Sequence, residues 1–189
     1  MASNIKHLMT VADLDALPDD DGNNYELIEG ELFVSYSHDI PHQLILHNVL
    51  YALAMFAEER NHFGIVVPGP GVILSAQDSV VPDLVYVSNE RWDSIVGGDY
   101  LIGAPDLVVE ILSPGSENRN RDLQIKRRLY GKYGVKEYWV VDSENRSVLV
   151  FRLTGEGLEE ISMLGNDDQI SSPLLPGLEL KLSEIFDLP

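Results

Sequence analysis

Glu110 stands in the stretch APDLVVEILSP, residues 104–114, whose centre from Leu107 to Leu112 has the unbroken apolar character of a buried strand. A carboxylate in such a run costs several kcal/mol unless it is paired, protonated or bound to a metal. Strand alternation puts Asp106, Val108, Glu110 and Leu112 on one face. A second apolar stretch, expected as one strand from Val80 to Val87, also carries a single acid, Asp83. Two hard oxygen donors on neighbouring strands are the minimum that can hold Mg²⁺, with waters and a substrate phosphate completing the octahedron. Two plainer uses compete with this: capping a loop, or pairing with an arginine at a sheet edge.

A lysine falls within reach of the same chemistry. Residues 116–134, SENRNRDLQIKRRLYGKYG, read as a long helix with Ser116 as N-cap and Gly134 as its stop. At 100° per residue, Asp122, Lys126, Leu129 and Tyr133 fall on one face, flanked by Ile125 and Tyr130, while Arg121, Arg128 and Lys132 point away. Lys126 therefore sits inside an apolar stripe and needs a partner. Asp122, one turn earlier, is one choice; the acids of the preceding strand are the other. An inward ammonium beside two metal-binding carboxylates could orient a water or offset charge on a phosphorane-like transition state.

The elements that must position these groups follow from pattern and punctuation. A short helix is expected over Val11–Leu17, capped by Thr10 and ended by Pro18 and the run to Gly22. NYELIEGELFVSY reads as two strands joined at Glu29-Gly30, and residues 41–60 as a long helix capped by Asp39. FGIVV, GVILS and SVVPDLVYVS read as strands, NERWDSIV as a short helix and GGDYLIGAP as a loop. KEYWVVD and SVLVFRL pair across SENR, and the remainder adds a strand or two and a final turn. This order calls for an α/β (α+β) fold, a mixed sheet with helices packed on it.

VVPDLVYVS, then GAPDLVVEILSPGS, then Asp122-x-x-x-Lys126-x-x-x-Tyr130 followed by GVKEYWVVD, resembles the Uma-type restriction endonuclease family of the PD-(D/E)XK nuclease superfamily. YELIEGEL and PHQLI fit the same pattern, and the resemblance runs from about Thr10 to Phe186. It implies a restriction-endonuclease-like mixed β-sheet core flanked by helices, and metal-dependent hydrolysis of DNA phosphodiester bonds with Mg²⁺ (or Mn²⁺). By this resemblance Asp83 is the motif aspartate, Glu110 the second acidic ligand, and the carbonyl of Ile111 a third donor. Leu112 occupies the place of the motif lysine, so Lys126 is expected to act from the helix instead. Glu26 and His42 match further positions near the site. Their plainer readings are an edge-strand surface acid and a packed histidine at a helix start.

Composition bounds the rest. The 189 residues suit a single domain, 1–189, and 44% hydrophobic with 23% charged is ordinary for a globular chain. There is no cysteine, so no disulfide framework or thiolate metal site, as in a reducing cytosol; a cytoplasmic location is expected. No signal peptide is recognised, and no apolar run is read as long enough to cross a membrane. The net charge of −18 opposes nucleic acid at long range. Yet Arg119, Arg121, Lys126, Arg127, Arg128, Lys132 and Lys136 cluster in a window whose only acid is Asp122. That cluster is either a salt-bridged helix face or an anion-binding patch, in which Arg119, Arg121 and Arg127 would steady a phosphate backbone. A homodimer is expected for an enzyme that cuts both strands. Two rivals remain: a catalytically silent fold that binds protein, favoured by the acidity and by Leu112, and a hydrolase of small phosphoesters.

Overall fold

The structure is a computed structural model that describes residues 8–14, 16–17, 22–36, 39–59, 64–113 and 115–189. The helix stop expected over residues 18–21 and the cap expected from the Ser116 side chain lie outside the described residues. The chain runs α1 (Val11–Leu14), β1 (Asn23–Ile28), β2 (Glu31–Tyr36), α2 (Ile40–Glu59), β3 (Gly64–Pro68), β4 (Val72–Ser75), β5 (Asp78–Val80) and β6 (Leu84–Ser88). It continues through α3 (Asn89–Ile95), β7 (Val96–Gly97), β8 (Tyr100–Ile102), β9 (Leu107–Ile111) and α4 (Ser116–Asn120), a π-helical segment (Arg121–Lys126) and α5 (Arg127–Tyr133). It ends with β10 (Glu137–Asp142), β11 (Ser147–Thr154), β12 (Gly157–Gly165), β13 (Gln169–Ser172), β14 (Leu175–Lys181) and α6 (Leu182–Ile185).

The central sheet has the strand order β12-β11-β10-β9-β6-β3. β9 and β10 are parallel, and the other neighbours are antiparallel. Both faces are covered, which is why β9 and β10 are buried at every position. Leu107, Val109 and Ile111 point to one face, with Ile45, Val49 and Leu53 of α2 and Leu178, Leu180 and Ile185 near the C-terminus. Val108, Leu112 and Val140 point to the other, with Leu129 and Tyr130 of α5 and Ile28, Val72 and Val80 of a second sheet. That sheet has the order β2-β1-β5-β4-β8-β7.

Several expectations need correction. SVVPDLVYVS is not one strand: β5 belongs to the second sheet and β6 to the central one, and the chain crosses between them at Pro82-Asp83. Proline has no N–H for a ladder, so the break falls there. GGDYLIGAP is not all loop but contributes most of the β7–β8 hairpin. The helix after residue 116 is continuous but winds as a π-helix over Arg121–Lys126. The tight β1–β2 turn at Glu29-Gly30 is found, with φ of 53° and 74° at its two residues, the paired left-handed geometry that suits a hairpin. Asp39 caps α2, its Oδ1 accepting the His42 N–H at 2.9 Å. By length and composition α2 does reach what a membrane crossing needs, against the sequence reading. Its inner face is taken up by the central sheet.

Candidate active site

Asp83 is held at the point where β6 begins. The β6–β9 ladder pairs Leu84 with Val109, so one step further the register sets Asp83 opposite Glu110. Pro82 cannot donate to Ile111 as a ladder residue would donate to its neighbour. Instead the Asp83 carboxylate reaches across: its Oδ2 accepts the Ile111 N–H at 2.6 Å and lies 3.1 Å from His42 Nε2. His42 is thus both a packed residue at a helix start and a neighbour of Asp83.

Glu110 faces the helix side of the sheet. Its Oε1 accepts from Lys126 Nζ at 2.9 Å and from the Tyr130 hydroxyl at 2.7 Å. Both bonds fall on Oε1, which leaves Oε2 available as a donor. Lys126 also lies 2.8 Å from Glu26 Oε1, and 3.9 Å from Asp122 Oδ1. The strand acids are therefore its closer partners, and Asp122 the more distant one. Glu26 is not an edge-strand surface acid. β1 lies between β2 and β5, and Glu26 is buried, its Oε1 also accepting the Val81 N–H at 2.9 Å. Leu112, in the motif lysine's place, packs in the core with Leu129 and Tyr130, one turn beyond Lys126 on the helix.

The π winding changes the helix face. Asp122 and Lys126 are both buried, as the spacing implies. Arg121, however, does not point away: its Nε donates to Asp122 Oδ1 at 3.1 Å. A π turn rotates the chain less per residue than the 100° of an α-helix, so Arg121 swings towards the cluster. The Tyr138 hydroxyl donates to the Asp122 carbonyl at 3.0 Å, satisfying a backbone group within the π turn. The sequence reading assigned no role to Tyr130 or Tyr138; the i+4 spacing of Tyr130 from Lys126 is the signal that could have placed it.

The cluster holds more carboxylates than cations. Glu26, Glu110 and Asp122 are buried around Lys126, with Arg121 beside Asp122, and Asp83 is buried beside His42. Burial pushes the Glu110 carboxyl up to about 8, aided by the charges of Asp83, Asp122 and Glu26 and opposed by Lys126. Burial raises Asp122 as well, against the pull of Lys126 and Arg121. Burial works against the Lys126 ammonium, but the charges of Glu110, Glu26 and Asp122 outweigh it, and the group is pushed upward and stays charged.

A hard divalent cation fits this donor set. Among the described residues no three His, Asp or Glu side chains form a ready-made cage. Mg²⁺ does not require one, since it is commonly held by one or two carboxylates and takes its other ligands from water and phosphate. Asp83 and Glu110 could supply the two carboxylates, and the excess of buried negative charge is what a cation would offset. The backbone at Ile111 adjoins both through its N–H to Asp83.

The arginines expected to steady phosphate are engaged within the chain. Arg119 Nη2 is 2.7 Å from Asp142, Arg121 is bound to Asp122, and the Arg127 guanidinium lies 5.2 Å from the centre of the Phe151 ring. Lys132 pairs with Asp78 at 3.4 Å and Lys136 with Asp106 at 2.6 Å. Most of the basic cluster is a salt-bridged helix face.

The chain is similar in structure to a protein described as a putative nuclease belonging to DUF820 from Anabaena variabilis, with a TM-score of 0.75 and 19% identity. That match covers 94% of this chain and 97% of the other, and it shows a shared fold. No curated protein matches the chain. The family model described as "Uma2: Putative restriction endonuclease" matches residues 11–183, almost the full length, and the chain belongs to that family.

Proposed function

We propose that this protein is a divalent-cation-dependent endonuclease that hydrolyses phosphodiester bonds in DNA. The observation that carries the reading is the buried excess of carboxylates around Lys126, with Asp83 and Glu110 set opposite each other at the end of the β6–β9 ladder. Asp83 and Glu110, with the Ile111 carbonyl, would hold Mg²⁺ or Mn²⁺, which supplies the positive charge that polarises a phosphodiester and makes water more acidic. His42 orients Asp83 through Nε2, and Tyr130 fixes the Glu110 carboxylate. Lys126, anchored by Glu26 and Glu110, directs its charge to where negative charge builds up on the phosphate. Cutting both strands of a duplex calls for two such sites, which a homodimer would supply.

Nicking of supercoiled plasmid at low salt, with Mg²⁺ and with Mn²⁺, tests this beside Asp83→Asn and Lys126→Met. Cleavage by the wild type that both variants lose is the expected result. A second reading, a silent nuclease fold that binds another protein, is favoured by one observation. Glu26, Glu110 and Lys126 are all nearly inaccessible and satisfied by one another. It predicts no nicking and no Mn²⁺ heat signal in calorimetry.

A further inference from the structure

Charge pairing divides the basic helix into two sets. Among the described residues, every lysine and arginine except Arg127, Arg128 and Arg146 has a carboxylate oxygen within 3.6 Å. Arg146 Nη2 donates to the Phe186 carbonyl, far along the chain. Arg127 and Arg128 are adjacent, on the helix that carries Lys126. Arg128 is exposed, and its Nε donates only to the Gln124 carbonyl at 3.2 Å. Arg127 rests on the Phe151 ring, which orients a planar guanidinium without neutralising it.

The surface around them is free of acids along the helix. From Asn120 to Lys136 the only carboxylate is Asp122, which is buried, while Asn120, Gln124, Arg128 and Lys132 are exposed. This ridge stands between two grooves. One, of about 450 Å³, lies between α5 and the β11–β12 turn and is lined in part by Arg127, Arg128 and Lys132. The other, of about 280 Å³, lies on the far side and is lined in part by Arg128, Lys132 and Ile125, with Glu29 across from them. Glu156 and Glu159 form the far wall of the first groove. They repel an anion from its depth and leave the ridge itself as the place for one.

We infer that Arg127 and Arg128, with the exposed polar side chains of Asn120 and Gln124 on the same helix, form the contact for the phosphodiester backbone of a nucleic-acid strand. The inference rests on the nuclease reading and moves the backbone contact away from Arg119 and Arg121, whose charges are already taken. Contacts of this kind carry no base specificity and show as a salt dependence of affinity.

The test is anisotropy of a labelled 20-base-pair DNA duplex with the full-length protein, without divalent metal, over a range of NaCl. Plasmid nicking runs in parallel. The double variant Arg127→Gln/Arg128→Gln should bind about tenfold more weakly, with the slope of log K against log salt reduced by about 2. Glu156→Gln/Glu159→Gln should bind several-fold more tightly. Lys181→Gln, an exposed lysine paired with Glu184, removes a charge elsewhere and should leave the slope unchanged. A double variant with wild-type slope and affinity overturns the inference, and plasmid nicking that persists beside it leaves the nuclease reading standing. Failure of the wild type to bind the duplex overturns the inference too. Absent nicking, with duplex binding that still loses its slope in the double variant, supports the backbone contact while removing the nuclease reading.

Discussion

Pro82-Asp83 and Pro105-Asp106 place an aspartate in the same local setting, directly before a strand of the central sheet, β6 in one case and β9 in the other. Because those strands are antiparallel, the two aspartates lie at opposite ends of one ladder. At the Asp106 end the carboxylate is buried yet charge-balanced. It accepts the Ser88 N–H at 2.8 Å and lies 3.0 Å from Arg91 and 2.6 Å from Lys136. Burial works against that carboxylate, but the hydrogen bonds from Lys136, Ser88 and Arg91 outweigh it and hold the carboxyl below its usual range. At the Asp83 end Glu26, Glu110 and Asp122 crowd around Lys126 and Arg121, Asp83 lies against His42, and Glu110 is pushed the other way. The difference is one of charge balance: the acid at the Asp106 end has enough cations beside it, and on the proposed function a bound cation would supply the charge that the other end lacks.

The sharpest way to break this comparison is to remove one acid from each end. Asp83→Asn or Glu110→Gln should reduce plasmid nicking by about 10²–10³-fold or more, the scale on which lost electrostatic groups act. Neither should lower the melting temperature, since each relieves charge excess. Asp106→Asn should do the reverse. It leaves Arg91 and Lys136 without their carboxylate and costs about 3 kcal/mol in denaturant unfolding, the low end for a broken buried pair because both cations are partly exposed. Nicking per folded molecule should survive. Equal losses of stability at the two ends would remove the distinction.

Much of this was legible in the sequence. Glu110 announces itself because an acid in an unbroken apolar run has few physical explanations, and the two strands and the helix that frame it have clear periods. The single strand expected from Val80 to Val87 divides because Pro82, inside an apolar run that looks continuous, marks a crossing from one sheet to another. Arg121 falls on the other side from the one expected because a fixed 100° step cannot foresee a π turn, whose Asp122 carbonyl is taken up by Tyr138 of β10. Which reading of the basic cluster holds was hidden for the same reason: Asp78, Asp106 and Asp142, which neutralise three of its cations, come from distant segments. Pairing across the fold leaves no mark in local spacing.

A smaller effect than either substitution is expected from metal alone. A ligand that binds only the folded chain stabilises it by RT ln(1 + [L]/Kd), about 1.4 kcal/mol at ten times Kd. Mn²⁺ should therefore raise the melting temperature of the wild type by a few degrees, and Asp83→Asn should abolish the rise. The Asp106 variant, though destabilised, should keep it. A rise of equal size in Asp83→Asn would place the cation elsewhere.

In their response to pH the two ends differ in sign. Glu110 is pushed up to about 8 from an ordinary 4.5, so between those values the folded chain holds a proton that the unfolded chain has released. Stability contributed by that proton is present at the acid side of the window and falls as pH rises towards 8. Asp106, Asp78 and Asp142 are held below their ordinary 3.8, so their contribution is present above that value and is lost as pH falls below it. Melting temperature measured from pH 3 to 9 should thus fall on both sides of a maximum near pH 5. In Glu110→Gln the decline on the alkaline side should flatten while the acid limb stays. In Asp106→Asn the acid limb should become shallower and the alkaline side stay. An alkaline decline that persists unchanged in Glu110→Gln would mean that the carboxylate excess is already relieved within the folded chain, and that the contrast between the two ends of the ladder is one of packing and not of charge.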